Sequence, residues 1–275
     1  MDELKKIIII ISEFNNPGEL WELKQQAEEA GIEVLGRFSD DFDPLSSYLI
    51  TDSREAADLS RKLSVGFAVY LNEESRRNDF ADALYMIDDI GSVGIDRIIK
   101  MHQRFLGIPW HILDTKRLSL WEMSMEDIDA VYGVYDDPDV GRYAGAPYSD
   151  RDRELNYIKD YIEIQYRFYE YGIWLVKDKN TGEVIGRAGL TGRAGYEDVE
   201  LGYVFAKRAW NRGYATEVIE AIIKYAKEEL YIERINAFVM PENTVSVHIL
   251  EKFGFVKIKN VILHDAEHIF MQLEL

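Results

Sequence analysis

The chain has 275 residues and a formal net charge of −18, from 32 Lys and Arg against 50 Asp and Glu. So acidic a chain repels polyanions, and we expect no broad nucleic-acid-binding surface. Cysteine is absent, which excludes disulfides, zinc–thiolate sites and a cysteine-linked acyl intermediate. The hydrophobic share of 47% is ample for packed cores, and the length predicts two domains.

The sequence predicts no membrane segment, because no apolar stretch reaches the roughly 18 residues of a membrane-spanning helix. The isoleucine run at residues 7–11 follows two lysines and lacks a small-residue cleavage site. We interpret it as a buried strand rather than a signal peptide. The absence of cysteine fits a reducing compartment, so we expect a cytoplasmic protein.

Strand-like and helical segments alternate through residues 1–107. The predicted strands are 6–11, 32–35, 48–51, 67–71 and 83–87. The predicted helices are 20–30, 52–63 and 93–105. This alternation predicts an α/β domain with a parallel sheet covered by helices. Gly107-Ile108-Pro109-Trp110 then interrupts the pattern, and we place a second domain at 112–275.

Strands dominate the second half of the chain. They are predicted at 116–122, 173–177, 184–191, 199–206 and 234–239, with a strand-like C-terminal end. The predicted helices are 151–170, 214–230 and 244–252, and another begins near Ser124. Ser124 and Asp127 have the spacing of a capping box.

The most informative segment is the predicted strand, loop and helix at 199–229. Lys207, Arg208 and Arg212 are concentrated just before a helix start, which presents unpaired N–H groups and the positive end of the helix dipole. Gly213 removes a side chain where a ligand would approach the backbone, and Ala215 is nearly as small. These features predict an anion cradle suited to phosphate. The alternative is a basic loop that only packs.

The segment Trp210-Asn211-Arg212-Gly213-Tyr214-Ala215 resembles the pyrophosphate motif Q/R-x-x-G-x-G/A of the GNAT superfamily of acyl-CoA-dependent N-acetyltransferases. Trp210 replaces the usual Gln or Arg. Further similarity lies in TKRLSLWEMSMEDI, TGEVIGRAGL, VELGYVFA and PENTVSVHILEKFGF. Over 112–275 the chain most resembles the branch of ribosomal-protein N-terminal acetyltransferases. The resemblance implies an α+β domain with a mixed, splayed central sheet.

The resemblance also implies the reaction and the co-substrate. Acetyl would pass from acetyl-CoA to a primary amine of a small molecule or peptide, by direct attack in a ternary complex. The residues that would bind the pyrophosphate are Arg212, Gly213, Tyr214, Ala215 and Thr216. Those that would contact the pantetheine arm through their backbone are Val204, Phe205 and Ala206. Asn243 would bind the cofactor arm or brace the next strand.

Glu200 is the candidate general base. An ammonium cannot attack a thioester, so a base or a water chain must take its proton. Glu200 lies 13 residues before Gly213, a spacing that many family members use for a catalytic glutamate. Asp198 is the rival. Alternatively, Glu200 is a solvated carboxylate or pairs with Arg187 or Arg193.

Ser246 is the candidate partner of the departing thiolate. Many family members place a tyrosine acid seven residues after the motif asparagine, but here that residue is Leu250. Ser246 lies three residues after Asn243, where the resembled branch often has serine. As a weak acid it would polarise the sulfur rather than protonate it, and the alternative is a surface serine.

Two other groups of residues have weaker patterns. Candidate aromatic residues for an acceptor pocket are Tyr166, Tyr169, Tyr171 and Trp174, although such stripes usually belong to a core. His264 and His268 are four residues apart, but without further clustered ligands we interpret them as structural and predict no metal site. The oligomeric state stays open.

Residues 49–72 and 81–99 resemble the later half of haloacid-dehalogenase-like domains. That family needs an Asp nucleophile in D-x-D-x-T at the end of its first strand, where this chain has residues 11–15, ISEFN. Asp41-Phe42-Asp43 matches the spacing of the two aspartates in this motif, but no threonine follows at the required position. We therefore predict a shortened, non-catalytic relative. Its Asp52, Asp88 and Asp89 could bind Mg²⁺, but we expect solvated turn carboxylates.

Three functions are consistent with these patterns. The first is an acetyl-CoA-dependent N-acetyltransferase with an appended α/β domain. The second is a phosphohydrolase in the N-terminal half, which the missing nucleophile disfavours. The third is a non-catalytic acyl-CoA sensor that keeps the cradle without the chemistry.

Overall fold

The computed structural model describes residues 3–16, 18–39, 42–81 and 83–275. It divides into two compact units, Met1–Ile108 and Pro109–Leu275. This division falls within the Gly107–Trp110 interruption, a few residues before the position expected near Ile112. In the described ranges, no helix is both long and apolar enough to cross a membrane.

The N-terminal unit contains a parallel sheet in the order β2-β1-β3-β4-β5 within the described residues. Its strands are β1 (Lys6–Ile10), β2 (Glu33–Leu35), β3 (Ser47–Thr51), β4 (Gly66–Tyr70) and β5 (Met86–Ile87). Its helices are α1 (Glu19–Glu29), α2 (Arg54–Lys62), α3 (Ile90–Val93) and α4 (Ile95–Leu106). Every residue of β3 is buried, because helices cover both faces of such a sheet. The predicted parallel sheet is confirmed.

Two elements near the end of this unit differ from the sequence prediction. The helix expected at 93–105 corresponds to α4, and the short helix α3 before it was not expected. Gly94, whose φ of 78° is outside the helical range, separates the two helices. The expected strand at 83–87 shortens to β5. Asp89 is not a solvated turn carboxylate but the cap of α3, accepting hydrogen bonds from the Gly91 and Ser92 amides.

Asp52 also differs from its predicted environment. It is only 1% exposed, and its Oδ2 accepts hydrogen bonds from the Ser12 amide and from Asn72 Nδ2 at 2.8 and 2.7 Å. The carboxylate is therefore part of a buried cluster at the carboxyl ends of β1, β3 and β4. Asp41, part of the D-x-D spacing, lies outside the described residues.

The C-terminal unit contains a mixed sheet in the order β12-β13-β11-β10-β9-β8-β7-β6. Its strands are β6 (His111–Asp114), β7 (Leu118–Trp121), β8 (Ile173–Asp178), β9 (Val184–Thr191), β10 (Val199–Phe205), β11 (Arg234–Val239), β12 (Val256–Leu263) and β13 (Ala266–Glu274). The expected C-terminal strand is a hairpin of β12 and β13, and β6 was not anticipated. The predicted mixed sheet is confirmed.

The helices of this unit are α5 (Ile128–Val134), α6 (Pro138–Ala144), α7 (Arg151–Tyr161), α8 (Tyr214–Glu228) and α9 (Thr244–Lys252). The expected helix at 151–170 changes into a π-helix at Ile162–Tyr169. Ser124 and Asp127 form the predicted capping box. α8 packs its apolar face on the core of the sheet, through Val218, Ile219, Ile222 and Ala226.

The feature that positions the site is a split between two neighbouring strands. β10 and β11 pair in parallel only at Val199 with Ile235 and at Glu200 with Asn236. Beyond Glu200, β10 stays paired with β9, and β11 stays paired with β13. The two strands therefore diverge, and their separation opens a cavity in the middle of the sheet.

Candidate active site

A cavity of about 590 Å³ lies where β10 and β11 diverge. One wall is formed by β10, β11 and the start of α9. Tyrosines from the region of α5–α7 form another wall, and the β12–β13 hairpin contributes two histidines. The polar lining residues are Tyr135, Tyr143, Tyr157, Arg187, Arg193, Glu200, Tyr203, Asn243, Ser246, His264 and His268. The lining thus combines apolar strand residues with a few convergent polar groups, as ligand sites do.

The predicted anion cradle lies at the start of α8. Gly213 precedes the helix with a φ of 74°, a conformation that favours glycine. The amides of the first helical turn have no intrahelical acceptor and carry the positive end of the dipole. A Cβ built at Gly213 would meet only Arg117 Nη2 within 4 Å, at 3.7 Å. The space before this helix start is therefore open enough for a phosphate.

Arg117 and Glu217 brace this cradle, a role that we did not assign to either residue from the sequence. Glu217 accepts hydrogen bonds from Arg117 Nε at 2.6 Å and from Thr115 Oγ1 at 2.6 Å. Arg117 Nη1 also donates to the Arg212 carbonyl at 2.9 Å. Burial alone would raise the Glu217 pKa, but the hydrogen bonds from Thr115 and Arg117 hold it below the usual value.

The basic loop before α8 contributes less free charge than predicted. Lys207 Nζ lies 3.0 and 2.6 Å from Asp137 and Asp139, and Arg208 lies 2.7 Å from Glu183. These two side chains are therefore neutralised by carboxylates remote in sequence. Arg212 is exposed and forms no ion pair with any carboxylate in the described part of the chain. It alone supplies an available cation to the cradle from this loop.

At the end of β10, part of the backbone predicted to contact the pantetheine arm is already hydrogen-bonded within the protein. Val204 lines the cavity, whereas Phe205 and Ala206 are buried beside it. The Ala206 amide donates to the Ile185 carbonyl, so it is not available to a ligand. Trp210 Nε1 donates to the Phe205 carbonyl at 2.7 Å, which gives the residue replacing the motif Gln or Arg a structural role.

Glu200 lies on the cavity wall and is 9% exposed. Both of its oxygens accept hydrogen bonds from Arg193, at 2.5 Å from Nε and 3.0 Å from Nη2. The hydrogen bond with Glu200 raises the Arg193 pKa. Of the two ion pairs that the sequence analysis considered for Glu200, the one with Arg193 is therefore present and the one with Arg187 is not. A carboxylate has further lone pairs, so Glu200 can still accept a hydrogen bond from a water or an amine.

Asp198, the rival base, is placed differently. It lies 3.2 Å from Arg234 Nε and accepts a hydrogen bond from Gln272. It does not line the cavity. Of the two candidate bases, Glu200 is thus the one that lines the cavity.

Helix α9 brings two predicted residues to the cavity. Asn243 caps the helix, because its Oδ1 accepts from the Ser246 amide at 3.2 Å. Ser246 lines the cavity beside Tyr203, whose hydroxyl is buried. Burial raises the Tyr203 pKa, and the Ser246 hydroxyl opposes part of that shift. Leu250, in the position of the usual tyrosine acid, is a buried apolar lining residue.

The four candidate aromatic residues for an acceptor pocket do not line this cavity, and two of them belong to the core, as such stripes usually do. Tyr166 and Trp174 are fully buried in the core, Tyr169 is 50% exposed, and Tyr171 packs against the core, so none of the four lines the cavity. The tyrosines that do so are Tyr135, Tyr143 and Tyr157. Tyr135 and Tyr143 lie outside the aromatic-rich helix predicted at 151–170, whereas Tyr157 lies within it on α7 and was not chosen from the sequence.

His264 and His268 lie at the cavity without forming a ligand cluster. His264 is in the turn between β12 and β13, and His268 is on β13, where its Nδ1 faces the Ala266 carbonyl at 3.1 Å. Among the described residues, no group of three or more His, Cys, Asp or Glu side chains is arranged to hold a metal ion.

Comparison with known proteins identifies relatives of the C-terminal unit. The family model for the acetyltransferase (GNAT) domain matches residues 117–256. An uncharacterized N-acetyltransferase of Bacillus licheniformis is 32% identical over 164 residues, covering 56% of this chain and 86% of that protein.

Solved structures show the same fold. An acetyltransferase from Agrobacterium tumefaciens is 25% identical with a TM-score of 0.51, covering 59% of this chain and 94% of that one. The spermidine N-acetyltransferase of Vibrio cholerae, solved with CoA and spermine, is 19% identical with a TM-score of 0.50, covering 57% and 95%. Because the family model spans half of the chain and the sequence relative is matched over most of its length, the chain belongs to the GNAT family of N-acetyltransferases.

Proposed function

We propose that the C-terminal unit transfers an acetyl group from acetyl-CoA to a primary amine by direct attack in a ternary complex. The observation that carries this proposal is the divergence of β10 and β11 after Glu200, followed by an open helix start at Gly213. The first opens a cavity for the reacting groups, and the second supplies phosphate-binding amides. A spermidine N-acetyltransferase of the same fold was solved with CoA and spermine, which supports acetyl-CoA as the co-substrate.

The test is a panel of primary amines incubated with acetyl-CoA, with release of the free thiol as the readout. We expect thiol release that depends on the amine and a product that carries the acetyl group. If acetyl-CoA binds but no amine is acetylated, the chain is an acyl-CoA sensor instead. The proposed membership in the ribosomal-protein branch predicts that peptides with a free N-terminus are among the acceptors.

The cofactor residues have distinct proposed roles. The amides of Tyr214, Ala215 and Thr216 would donate to the pyrophosphate, with the exposed Arg212 guanidinium adding a charged contact. Gly213 would leave the room that the phosphates need. The pantetheine arm would run along Val204, in the gap between the strands. Asn243 would keep Nδ2 for the arm, since its Oδ1 caps α9.

Arg212→Ala is expected to weaken acetyl-CoA binding by roughly 10- to 100-fold. Losing one charge-assisted contact costs about 1.5–3 kcal/mol, and about 1.4 kcal/mol corresponds to tenfold in affinity. Calorimetric titration of the full chain with acetyl-CoA measures the change. Lys207→Ala is the matched control, because it removes a charge from the same loop that is already paired with Asp137 and Asp139. Equal losses in both variants would contradict the role of Arg212.

The chemical roles fall to Glu200 and Ser246. Glu200 would take the ammonium proton, directly or through a water, and so free the nitrogen lone pair for attack on the thioester carbon. The C–S bond would then break, and the nitrogen would lose its second proton to the departing sulfur, so that CoA leaves as the thiol. Ser246, beside the buried Tyr203 hydroxyl, would donate a hydrogen bond to that sulfur. Both residues line the same cavity, which supports this division of roles.

We also propose that the two units are independent domains, and a fragment of residues 109–275 is expected to fold and bind acetyl-CoA with unchanged affinity. The hydrophobic core of this unit contains only its own residues. Circular dichroism and calorimetric titration of the fragment and of the full chain make the comparison. An insoluble fragment, or a folded one that does not bind, would show that the N-terminal unit completes the fold or the site.

For the N-terminal unit we propose a shortened, non-catalytic relative of haloacid-dehalogenase-like domains. Its parallel sheet is consistent with such a domain. After β1 the chain offers Ser12, whose hydroxyl donates to Asp52, rather than an aspartate nucleophile. Asp52 Oδ2 already accepts hydrogen bonds from Ser12 and Asn72. A phosphatase assay on the full chain is therefore expected to show no hydrolysis.

A further inference from the structure

The cavity wall carries a second arginine, Arg187, that the proposed reaction does not use. It lies on β9 directly opposite Val204 of β10. Residues paired across an antiparallel ladder point to the same face, and so do alternate residues along a strand. Arg187 therefore shares a face with Glu200, and both line the cavity.

Arg187 is buried without an ionic partner. It is 9% exposed, and its Nε is buried with no hydrogen-bond acceptor. Among the described residues, no carboxylate forms an ion pair with it. Glu154, a buried carboxylate in the same region, accepts a hydrogen bond from the Tyr148 amide instead.

Tyrosine side chains surround the guanidinium. Tyr135 and Tyr157 line the same cavity as Arg187. Burial raises the pKa values of Tyr135, Tyr157 and Tyr161, and the positive charge of Arg187 opposes the shift in all three. The tyrosine neighbours of Arg187 are neutral hydroxyl groups, which can hydrogen-bond a ligand. The charge of Glu154 also acts on Tyr135 and Tyr157, but this carboxylate does not line the cavity.

The charge of the cavity contrasts with that of the chain. The net charge of the protein is −18, yet the Asp, Glu, Lys and Arg side chains lining the cavity are two arginines and one glutamate. Arg193 and Glu200 neutralise each other, so the lining keeps the single positive charge of Arg187. An unpaired buried charge is costly to maintain, and a bound anion removes that cost.

We propose that Arg187 binds a carboxylate of the amine acceptor, so that the substrate is an amino acid or a related compound with both groups. This rests on the proposed acetyl transfer. The anion is not the pyrophosphate, whose proposed residues at the start of α8 do not line this cavity. The one excess positive charge of the lining matches a carboxylate of charge −1, and the planar guanidinium fork suits carboxylate geometry.

The spacing of the two groups indicates which amino acids to test. Glu200 and Val204, the register position of Arg187, lie four residues apart, or roughly 13 Å along an extended strand. Both side chains reach into the cavity and shorten that span. An amine several bonds from its carboxylate is therefore the better fit, and 6-aminohexanoate with its carboxamide forms a matched pair of probes.

The experiment compares kcat/KM for the two probes in the full chain. We expect the wild-type protein to prefer the acid by at least about tenfold, the effect of one charge-assisted hydrogen bond. In Arg187→Met, kcat/KM for the acid should fall to the value for the amide. The kcat/KM for the amide and the affinity for acetyl-CoA should stay unchanged. Arg187→Lys should keep part of the preference. Arg151→Met, which removes an exposed arginine paired with Asp129, is the control.

Two results would overturn the proposal. One is equal use of acid and amide by the wild-type protein across glycine, 4-aminobutyrate, 6-aminohexanoate and their amides. The other is a parallel loss of both in Arg187→Met, which would assign Arg187 to the fold or to the thioester. If no amine is acetylated, the proposed function has failed separately. Calorimetric binding of 6-aminohexanoate then decides: binding lost in Arg187→Met supports the carboxylate site, and no binding to wild type overturns it.

Discussion

Replacing Gly213 with glutamate is expected to abolish acetyl-CoA binding, with affinity falling by more than about 100-fold. The new carboxylate would occupy the place of the pyrophosphate and repel it. Losing even two charge-assisted contacts, at roughly 1.5 kcal/mol each, accounts for that factor. The φ of 74° at this position adds a backbone cost of about 1–2 kcal/mol for a non-glycine residue. Calorimetric titration with acetyl-CoA measures the affinity.

Gly182→Glu is the control that separates the effect of a carboxylate at the pyrophosphate position from the effect of backbone strain. Gly182 has a φ of 72° and no neighbour within 4 Å of a built Cβ, so the substitution brings the same charge and the same strain to another turn. Thermal denaturation should show similar stability losses in both variants, while only Gly213→Glu loses acetyl-CoA. If Gly213→Glu still bound acetyl-CoA like the wild-type protein, the pyrophosphate would lie elsewhere.

The parts of the fold that could be predicted are those with a local pattern. β9, β11 and α9 begin and end at the residues expected, because each is a periodic segment bounded by turn or capping residues. The open helix start at Gly213 was similarly readable, since a strand, a glycine and a helix start are neighbours in sequence. Gly94 shows the limit: its positive φ separates α4 from the short helix α3, which was not predicted, and glycine in a helical pattern does not by itself reveal such a boundary.

The parts that could not be predicted depend on contacts between distant segments. Lys207 was expected at the cradle, but it pairs with Asp139, which is 68 residues earlier in the sequence. Arg187 had been considered only as a partner of Glu200. Its isolation follows from the pairing of Glu200 with Arg193 and from the packing of the α5–α7 region over β9, neither of which has a sequence pattern.

Glu200→Gln is expected to lower turnover by at least about 100-fold while acetyl-CoA affinity barely changes, because a general base typically contributes about 10²–10⁴-fold. Glu197→Gln is the control for net charge, because it neutralises an exposed glutamate in the loop before β10. A loss below about tenfold at saturating substrates would exclude the base role. Proximity and thioester polarisation would then supply most of the rate.

The ion pair with Arg193 gives Glu200→Gln a second effect that must be separated from the first. The variant leaves Arg193 uncompensated on the cavity wall, where it would repel an ammonium and raise the acceptor KM. The double variant Arg193→Gln with Glu200→Gln removes both charges. If Glu200 only neutralises Arg193, the double variant should recover turnover, whereas the loss of a base should leave it as slow as Glu200→Gln.

The pH dependence of turnover gives an independent test of the same role. Turnover should rise with pH along a limb that Glu200→Gln alters, because the base must be ionised to accept a proton. The acceptor amine also loses its proton as pH rises, which produces a similar limb without any enzyme group. Acceptors of different amine pKa distinguish the two causes: a limb set by the amine moves with that pKa, and one set by Glu200 stays in place. A limb that follows the amine in both proteins would show that Glu200 is not the base.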